Sequence, residues 1–178
     1  MKKITFTLLV TLMIAGTSLF AQKTYSKQYG GTLNLGLGVG GYYGYYHYAG
    51  HSLPVFSINY EFDVARNFTL APFVTFWTYR NDSDHYRESV IPVGVKGTFY
   101  LDQALNAGSD WDFYLAGSLG FAIVKSTWDD GYEGVTYYQD VSPLFLDLHV
   151  GTEYHLSNRV GLFLDLSTGV STLGLAFH

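Results

Sequence analysis

Residues 55–64 read VFSINYEFDV, and within them Phe56, Ile58, Tyr60, Phe62 and Val64 alternate with Ser57, Asn59, Glu61 and Asp63. A period of two held over ten residues is a β-strand with one apolar and one polar face. The same alternation returns along the chain. Residues 32–40 set Leu33, Leu35, Leu37 and Val39 against Asn34, Gly36 and Gly38, and residues 68–79 set Phe68, Leu70, Val74 and Phe76 against Thr69, Ala71, Phe73, Thr75 and Trp77. Residues 89–101, 112–124, 142–154, 160–167 and 170–178 repeat the pattern, with outward sets such as Val93, Val95, Phe99 and Leu144, Leu146, Leu148. Eight strands are predicted, with no convincing amphipathic helix after the N-terminal segment.

The connections alternate in length. Residues 65–67, 102–111 and 155–159 fall at one end, whereas 42–54, 80–88 and 126–141 fall at the other, with a tight turn at Thr168 and Gly169. Short turns at one rim and long polar loops at the other describe an all-β, eight-stranded, antiparallel, up-and-down transmembrane β-barrel. Small residues strengthen this choice: Gly36, Gly38, Gly40, Gly94, Ala116, Gly120, Ala122, Gly151 and Gly161 all fall on the polar face, where a narrow lumen is crowded. Outward aromatics fall in two groups. Phe62, Phe68, Phe99, Phe113, Tyr154 and Phe177 lie near the short-turn rim, and Phe56, Phe76, Phe121 and Tyr43 near the long-loop rim. The eight-residue steps from Phe68 to Phe76 and from Phe113 to Phe121 correspond to roughly 20 Å of height at a tilt of about 40°. Two aromatic girdles around an aliphatic band are a membrane belt. A secreted soluble barrel with an apolar, ligand-binding lumen is the alternative arrangement of the same strands.

In this pattern and topology residues 29–178 resemble the small outer-membrane proteins of the OmpX and OmpA-transmembrane-domain type. The resemblance implies a location in the cell outer membrane of a Gram-negative bacterium, contact with outer-membrane lipid, and insertion by the barrel-assembly machinery. It further implies a structural, surface-binding or small-porin-like role with no catalysis and no cofactor. Such proteins commonly end on an aromatic residue, and here Phe177 is followed by His178.

Residues 1–21, MKKITFTLLVTLMIAGTSLFA, combine Lys2 and Lys3 with an apolar run and a small-residue end, the form of a cleaved secretory signal peptide. The remaining domain, residues 22–178, carries 8 basic and 15 acidic side chains, a net charge of about −7. Nucleic acid is therefore not an expected partner, since phosphate binding needs a basic face. The absence of cysteine leaves the fold to its ladder and packing alone.

Several motifs invite chemistry. GLGVGG at residues 36–41 fits a dinucleotide-binding pattern, but its glycines alternate with Leu37 and Val39 inside a strand and no helix follows, so they read as lumen-facing small residues. His155, Ser157 and Asn158 in YHLSNRV look like the H-x-S-N motif of the lipid A 3-O-deacylases, which are also eight-stranded barrels. That resemblance implies His155 as base and Ser157 as nucleophile, and Asp165 is the nearest downstream acid. Against it stands an internal parallel: EYHLSNRVGL at residues 153–162 matches EFDVARNFTL at residues 61–70 in character without a His-x-Ser, which makes the segment a structural turn. In the outer loops His47, His51, Asp82, Asp84, His85, Asp129, Asp130 and Glu133 lack zinc or calcium spacing, so no metal site is assigned.

Among the polar-face residues, Glu61, Lys96, Asp147, His149, Glu153 and Asp165 should all point inward. Unpaired, they would be costly, so Lys96 is expected to bridge acids from other strands, with water meeting the surplus. Finally, Tyr43, Tyr45, Tyr46 and Tyr48 of the first long loop, with Trp128 and Tyr132 of the third, form a candidate outward surface for an extracellular ligand, because tyrosine offers broad contact area at low entropy cost.

Overall fold

The computed structural model describes residues 29–40, 52–81, 86–128 and 144–178. They form β1 (Thr32–Gly40), β2 (Ser52–Ala65), β3 (Phe68–Asn81), β4 (Tyr86–Tyr100), α1 (Asp102–Leu105), β5 (Trp111–Trp128), β6 (Leu144–Ser157), β7 (Val160–Ser167) and β8 (Val170–Phe177). Every strand pairs antiparallel with its sequence neighbours, and β1 also pairs with β8, from Leu33 opposite Phe177 to Gly40 opposite Val170. Closure leaves no edge strand, so each backbone ladder is satisfied within the wall.

The outward face is apolar and bare. Leu148, Phe121 and Leu37 are 61%, 60% and 57% exposed, and their outward neighbours Leu115, Leu146, Val150, Leu166 and Leu173 are exposed as well. Such a continuous apolar surface around the whole wall has lipid as its solvent, and the fold is a transmembrane barrel. Register gathers the aromatics into girdles: Phe68 lies opposite Phe99, Trp111 opposite Tyr154, and Phe56 opposite Phe76. Trp111, expected in a connection, instead opens β5 and joins the lower girdle, with its ring 4.8 Å from Tyr154 and 6.0 Å from Phe113.

Inside, the lumen is filled in layers. Val55, Trp77, Val90, Ala122 and Val170 close it near the long-loop rim. Tyr29, Tyr100, Tyr114 and Ala116 close it towards the rim that carries the chain ends, where Tyr29 and Tyr100 stack with centroids 3.8 Å apart. Polar side chains occupy the space between. Gly151 shows how bulk and space are matched: a Cβ there would meet Tyr114 Cζ at 2.1 Å, so the missing side chain lets the tyrosine ring lie against β6.

Three boundaries differ from the sequence expectation. The ladders of β3, β4 and β5 continue into the long loops, with Asn81 opposite Tyr86 and Tyr86 opposite Trp128. Above the apolar band both faces meet a polar medium, so pairing persists where alternation stops. At the other rim β6 runs to Ser157, because Ser157 still pairs with Val160. The connection after β4 contains the short α1, ended by Asn106 in the left-handed region (φ 48°), with Ala107 N donating to Asp102 O at 3.0 Å. Asparagine tolerates that conformation better than most residues.

Candidate functional site

All six inward polar residues named from the alternation line the lumen: Glu61, Lys96, Asp147, Glu153 and Asp165 are buried, and His149 is nearly so. They do not form one network. They divide into four stations along the barrel axis.

Nearest the long-loop rim, Asp147, 1% exposed, organises the β7–β8 turn. Its Oδ1 accepts from Thr168 Oγ1 (2.6 Å) and Gly169 N (2.8 Å), and its Oδ2 from Ser167 Oγ (2.8 Å) and Val170 N (3.2 Å). A carboxylate with four donors is satisfied without a cation. This explains how the tight Thr168–Gly169 turn is held so close to the lumen.

Next, Lys96 of β4 pairs across the lumen with Asp165 of β7. Asp165 also accepts from His149 Nδ1 (2.7 Å) and Tyr114 OH (3.1 Å), while His149 Nε2 meets Ser118 Oγ at 2.8 Å. Lys96 Nζ additionally lies 4.9 Å from the centre of the Tyr114 ring. Lys96 was expected to bridge several acids, yet among the described contacts it serves Asp165 alone. Beside this cluster remains a cavity of about 40 Å³, lined in part by Lys96, Ser118, Asp147, His149 and Asp165, enough for a few water molecules.

Glu61 makes the third station. Its Oε1 accepts from Asn34 Nδ2 (2.8 Å), and its Oε2 from Thr69 Oγ1 (2.6 Å) and Tyr100 OH (2.8 Å); Asn34 Nδ2 also donates to Asn59 Oδ1 (2.9 Å). Its surplus charge is met by neutral side-chain donors rather than by Lys96.

Glu153 belongs to the fourth, at the rim of the chain ends. Its Oε1 accepts from His178 Nε2 at 2.7 Å and lies 3.9 Å from His155 Nδ1. Thr32 Oγ1 donates to Tyr29 O (2.7 Å), so the 2.9 Å contact between Thr32 Oγ1 and His178 Nδ1 is a donation from the imidazole. The hydrogen bond to the Glu153 carboxylate holds the His178 pKa above the ordinary histidine range. His155 Nε2 donates to Asp112 Oδ2 at 2.8 Å, and the two imidazoles are 5.1 Å apart. An open cleft of about 450 Å³ adjoins them, lined by Tyr29, Asp102, Trp111, Asp112 and His155 among others.

The catalytic reading of His155 and Ser157, set aside on the sequence for a structural turn, gains an acid but no contact with the serine. Asp165, the nearest downstream acid, lies in the Lys96 station as its inward position implied, and the partner of His155 is Asp112 on the neighbouring strand. Ser157 Oγ accepts from the backbone N–H groups of Arg159 (3.3 Å) and Val160 (3.2 Å), the work of a turn residue. No hydrogen bond joins His155 to Ser157 among those described. Of the candidate loop surface, Trp128 ends β5 and is half-buried. Tyr43, Tyr45, Tyr46, Tyr48 and Tyr132 lie outside the described residues, as do the signal segment 1–21 and the loop residues His47, His51, Asp82, Asp84, His85, Asp129, Asp130 and Glu133. Sequence reasoning missed Thr32, Asp112 and His178 as rim partners, because they come from three separate places in the chain and share no local spacing.

No protein-family model matches the chain, and no curated protein matches it. Among solved structures it is similar to Neisserial surface protein A (NspA), with a TM-score of 0.50 and 15% identity over 82% of this chain and 94% of that one. Similar too are Ail of Yersinia pestis, with a TM-score of 0.48 and 10% identity over 82% of this chain and 96% of that one, and a de novo designed transmembrane β-barrel, with 0.47 and 13% over 85% and 98%. The likeness to NspA is one of fold, and the closed eight-stranded wall is that of the small OmpX-like barrels.

Proposed function

We propose that this chain is a non-enzymatic outer-membrane protein whose closed barrel serves as a membrane-embedded scaffold for a binding surface on its long loops. The observation that carries this reading is the lumen: an apolar layer near one end, a tyrosine layer near the other, and paired polar groups between them. Eight strands leave an interior that side chains fill, so a conducting path is not the purpose of this one. With the lumen occupied and the wall facing lipid, what remains to meet a partner is the rims. In this orientation the rim of the chain ends faces the periplasm and the Tyr-rich loops face outward, with outer-membrane lipid around the wall and the barrel-assembly machinery inserting it.

An esterase acting on lipid A is the weaker reading. Its nucleophile, Ser157, is occupied by the β6–β7 turn, and the turn lies at the rim away from the leaflet that holds lipid A.

Planar-bilayer recording together with a loop deletion tests the proposal. The purified barrel is expected to show no stepwise conductance, and removal of residues 45–51 is expected to weaken adhesion of cells or of barrel-bearing vesicles to surfaces. Discrete channel openings would replace the scaffold with a small pore. Unchanged adhesion would remove the first loop from the binding surface.

A further inference from the structure

We propose that Glu153, His155 and His178 bind a zinc ion at the rim of the chain ends. Glu153 Oε1, one ring nitrogen of His155 and one of His178 all lie within 4.8 Å of one another, and no other group of three such side chains converges among the described residues. Tetrahedral zinc with bonds of about 2.0–2.1 Å sets its ligand atoms about 3.3 Å apart. The observed separations of 2.7 Å (His178 Nε2 to Glu153 Oε1) and 3.9 Å (His155 Nδ1 to Glu153 Oε1) bracket that value.

The surroundings favour the same assignment. A metal-bound imidazole characteristically donates its other N–H to a carboxylate or other oxygen, which fixes its tautomer and aim. His155 Nε2 does so to Asp112 Oδ2, and His178 Nδ1 does so to Thr32 Oγ1, whose own proton is committed to Tyr29 O. Each histidine thus turns its remaining nitrogen towards Glu153. Zinc would take the position of the proton now shared between His178 and Glu153, releasing it to solvent, and leave a fourth coordination place for water. Gly161 is the reason the carboxylate can sit there, because a Cβ at that position would lie 1.9 Å from Glu153 Oε1. The adjoining cleft provides an entry path, and Asp102 and Asp112 in its lining make it attractive to cations.

Two imidazoles and one carboxylate select a borderline transition ion over calcium or magnesium, which take oxygen ligands. Because His178 follows β8, Glu153 and His155 lie on β6, and Thr32 begins β1, the ion would tie the β1–β8 seam to β6 across the intervening β7.

The test uses the untagged barrel in detergent micelles, stripped with chelator and titrated calorimetrically with zinc chloride. Binding of one ion per barrel, undiminished by millimolar Ca²⁺ or Mg²⁺, is expected, with a rise in the temperature at which the compact gel band is lost. His178→Ala and Glu153→Gln should abolish it, Asp112→Asn should weaken it about 10–100-fold, and joint replacement of His47, His51 and His85 by Ala should leave it intact. Absence of binding, full binding in His178→Ala, or loss in the loop variant would overturn the assignment. If a rim variant does not fold, the wild type decides through zinc X-ray absorption. A shell with two imidazoles at about 2.0–2.1 Å supports the site, and an all-oxygen shell refutes it.

Discussion

Two hairpins on opposite sides of the barrel carry nearly the same sequence device and use it differently. In β2–β3, EFDVARNFTL runs from Glu61 to Leu70, and in β6–β7, EYHLSNRVGL runs from Glu153 to Leu162. The ladders agree in detail: each shifts register two to four residues after the glutamate, between Asp63 and Ala65 in one and between His155 and Ser157 in the other. The difference begins where Thr69 is matched by Gly161. Thr69 donates to Glu61 and, with Tyr100 and Asn34, satisfies it from neutral groups. Gly161 donates nothing from a side chain, and Glu153 occupies the space it leaves and turns to the histidines. One glutamate is an internal strut. The other faces a rim that can exchange ions with solvent.

Outside both hairpins, Lys96→Met sets the scale, since it leaves Asp165 buried without its lysine and is expected to cost about 3–5 kcal/mol. Urea unfolding of the barrel in vesicles, followed by tryptophan fluorescence, measures this, and bilayers should still show no channel. On the same assay Glu61→Ala, which strands Thr69, Tyr100 and Asn34, is expected to lose about 3 kcal/mol. Glu153→Ala, at the half-open rim, should lose about 1 kcal/mol. Equal losses would break the contrast between strut and rim. Gly161→Thr recreates the β2–β3 arrangement in β6–β7 and should cost about 1–2 kcal/mol through crowding of Glu153. It should also shift the His178 imidazole resonances, because the carboxylate can no longer keep its place; unmoved resonances would mean that Gly161 does not set the aim of Glu153. Smallest is Ser157→Ala, which removes an exposed acceptor from the β6–β7 turn and should cost about 0.5–1 kcal/mol. Lipid A acylation measured in the same strain should stay as in wild type, and a change there would restore Ser157 as a nucleophile.

The parallel between the two hairpins is legible in the linear order of residues, and so is its meaning as a turn. The lumen positions of Glu61, Lys96, Asp147, His149, Glu153 and Asp165 are legible there too, because each strand separates two media and must place its side chains alternately. Their partners are not. Lys96 has four acids within its expected lumen, and nothing in the linear order selects Asp165 over Asp147, Glu61 or Glu153. Ladder register alone would favour Asp147, since Lys96 is level with Ser118 and Ser118 with Asp147; the choice of Asp165 is made across the lumen, where closure of the tilted wall brings β7 within reach of β4. The acid beside His155 illustrates the same limit, for it comes from a neighbouring strand 43 positions earlier rather than from Asp165 downstream.

By itself, then, the chain's alternation determined the strand number, the lipid-facing side and the contents of the lumen, all consequences of one repeating backbone geometry meeting lipid on one side. The tertiary structure alone decided how the lumen is divided into stations and that Thr32, Asp112, Glu153, His155 and His178 share one rim. Those contacts depend on barrel closure and the height at which each strand is set, quantities that arise between strands and leave no spacing within any of them.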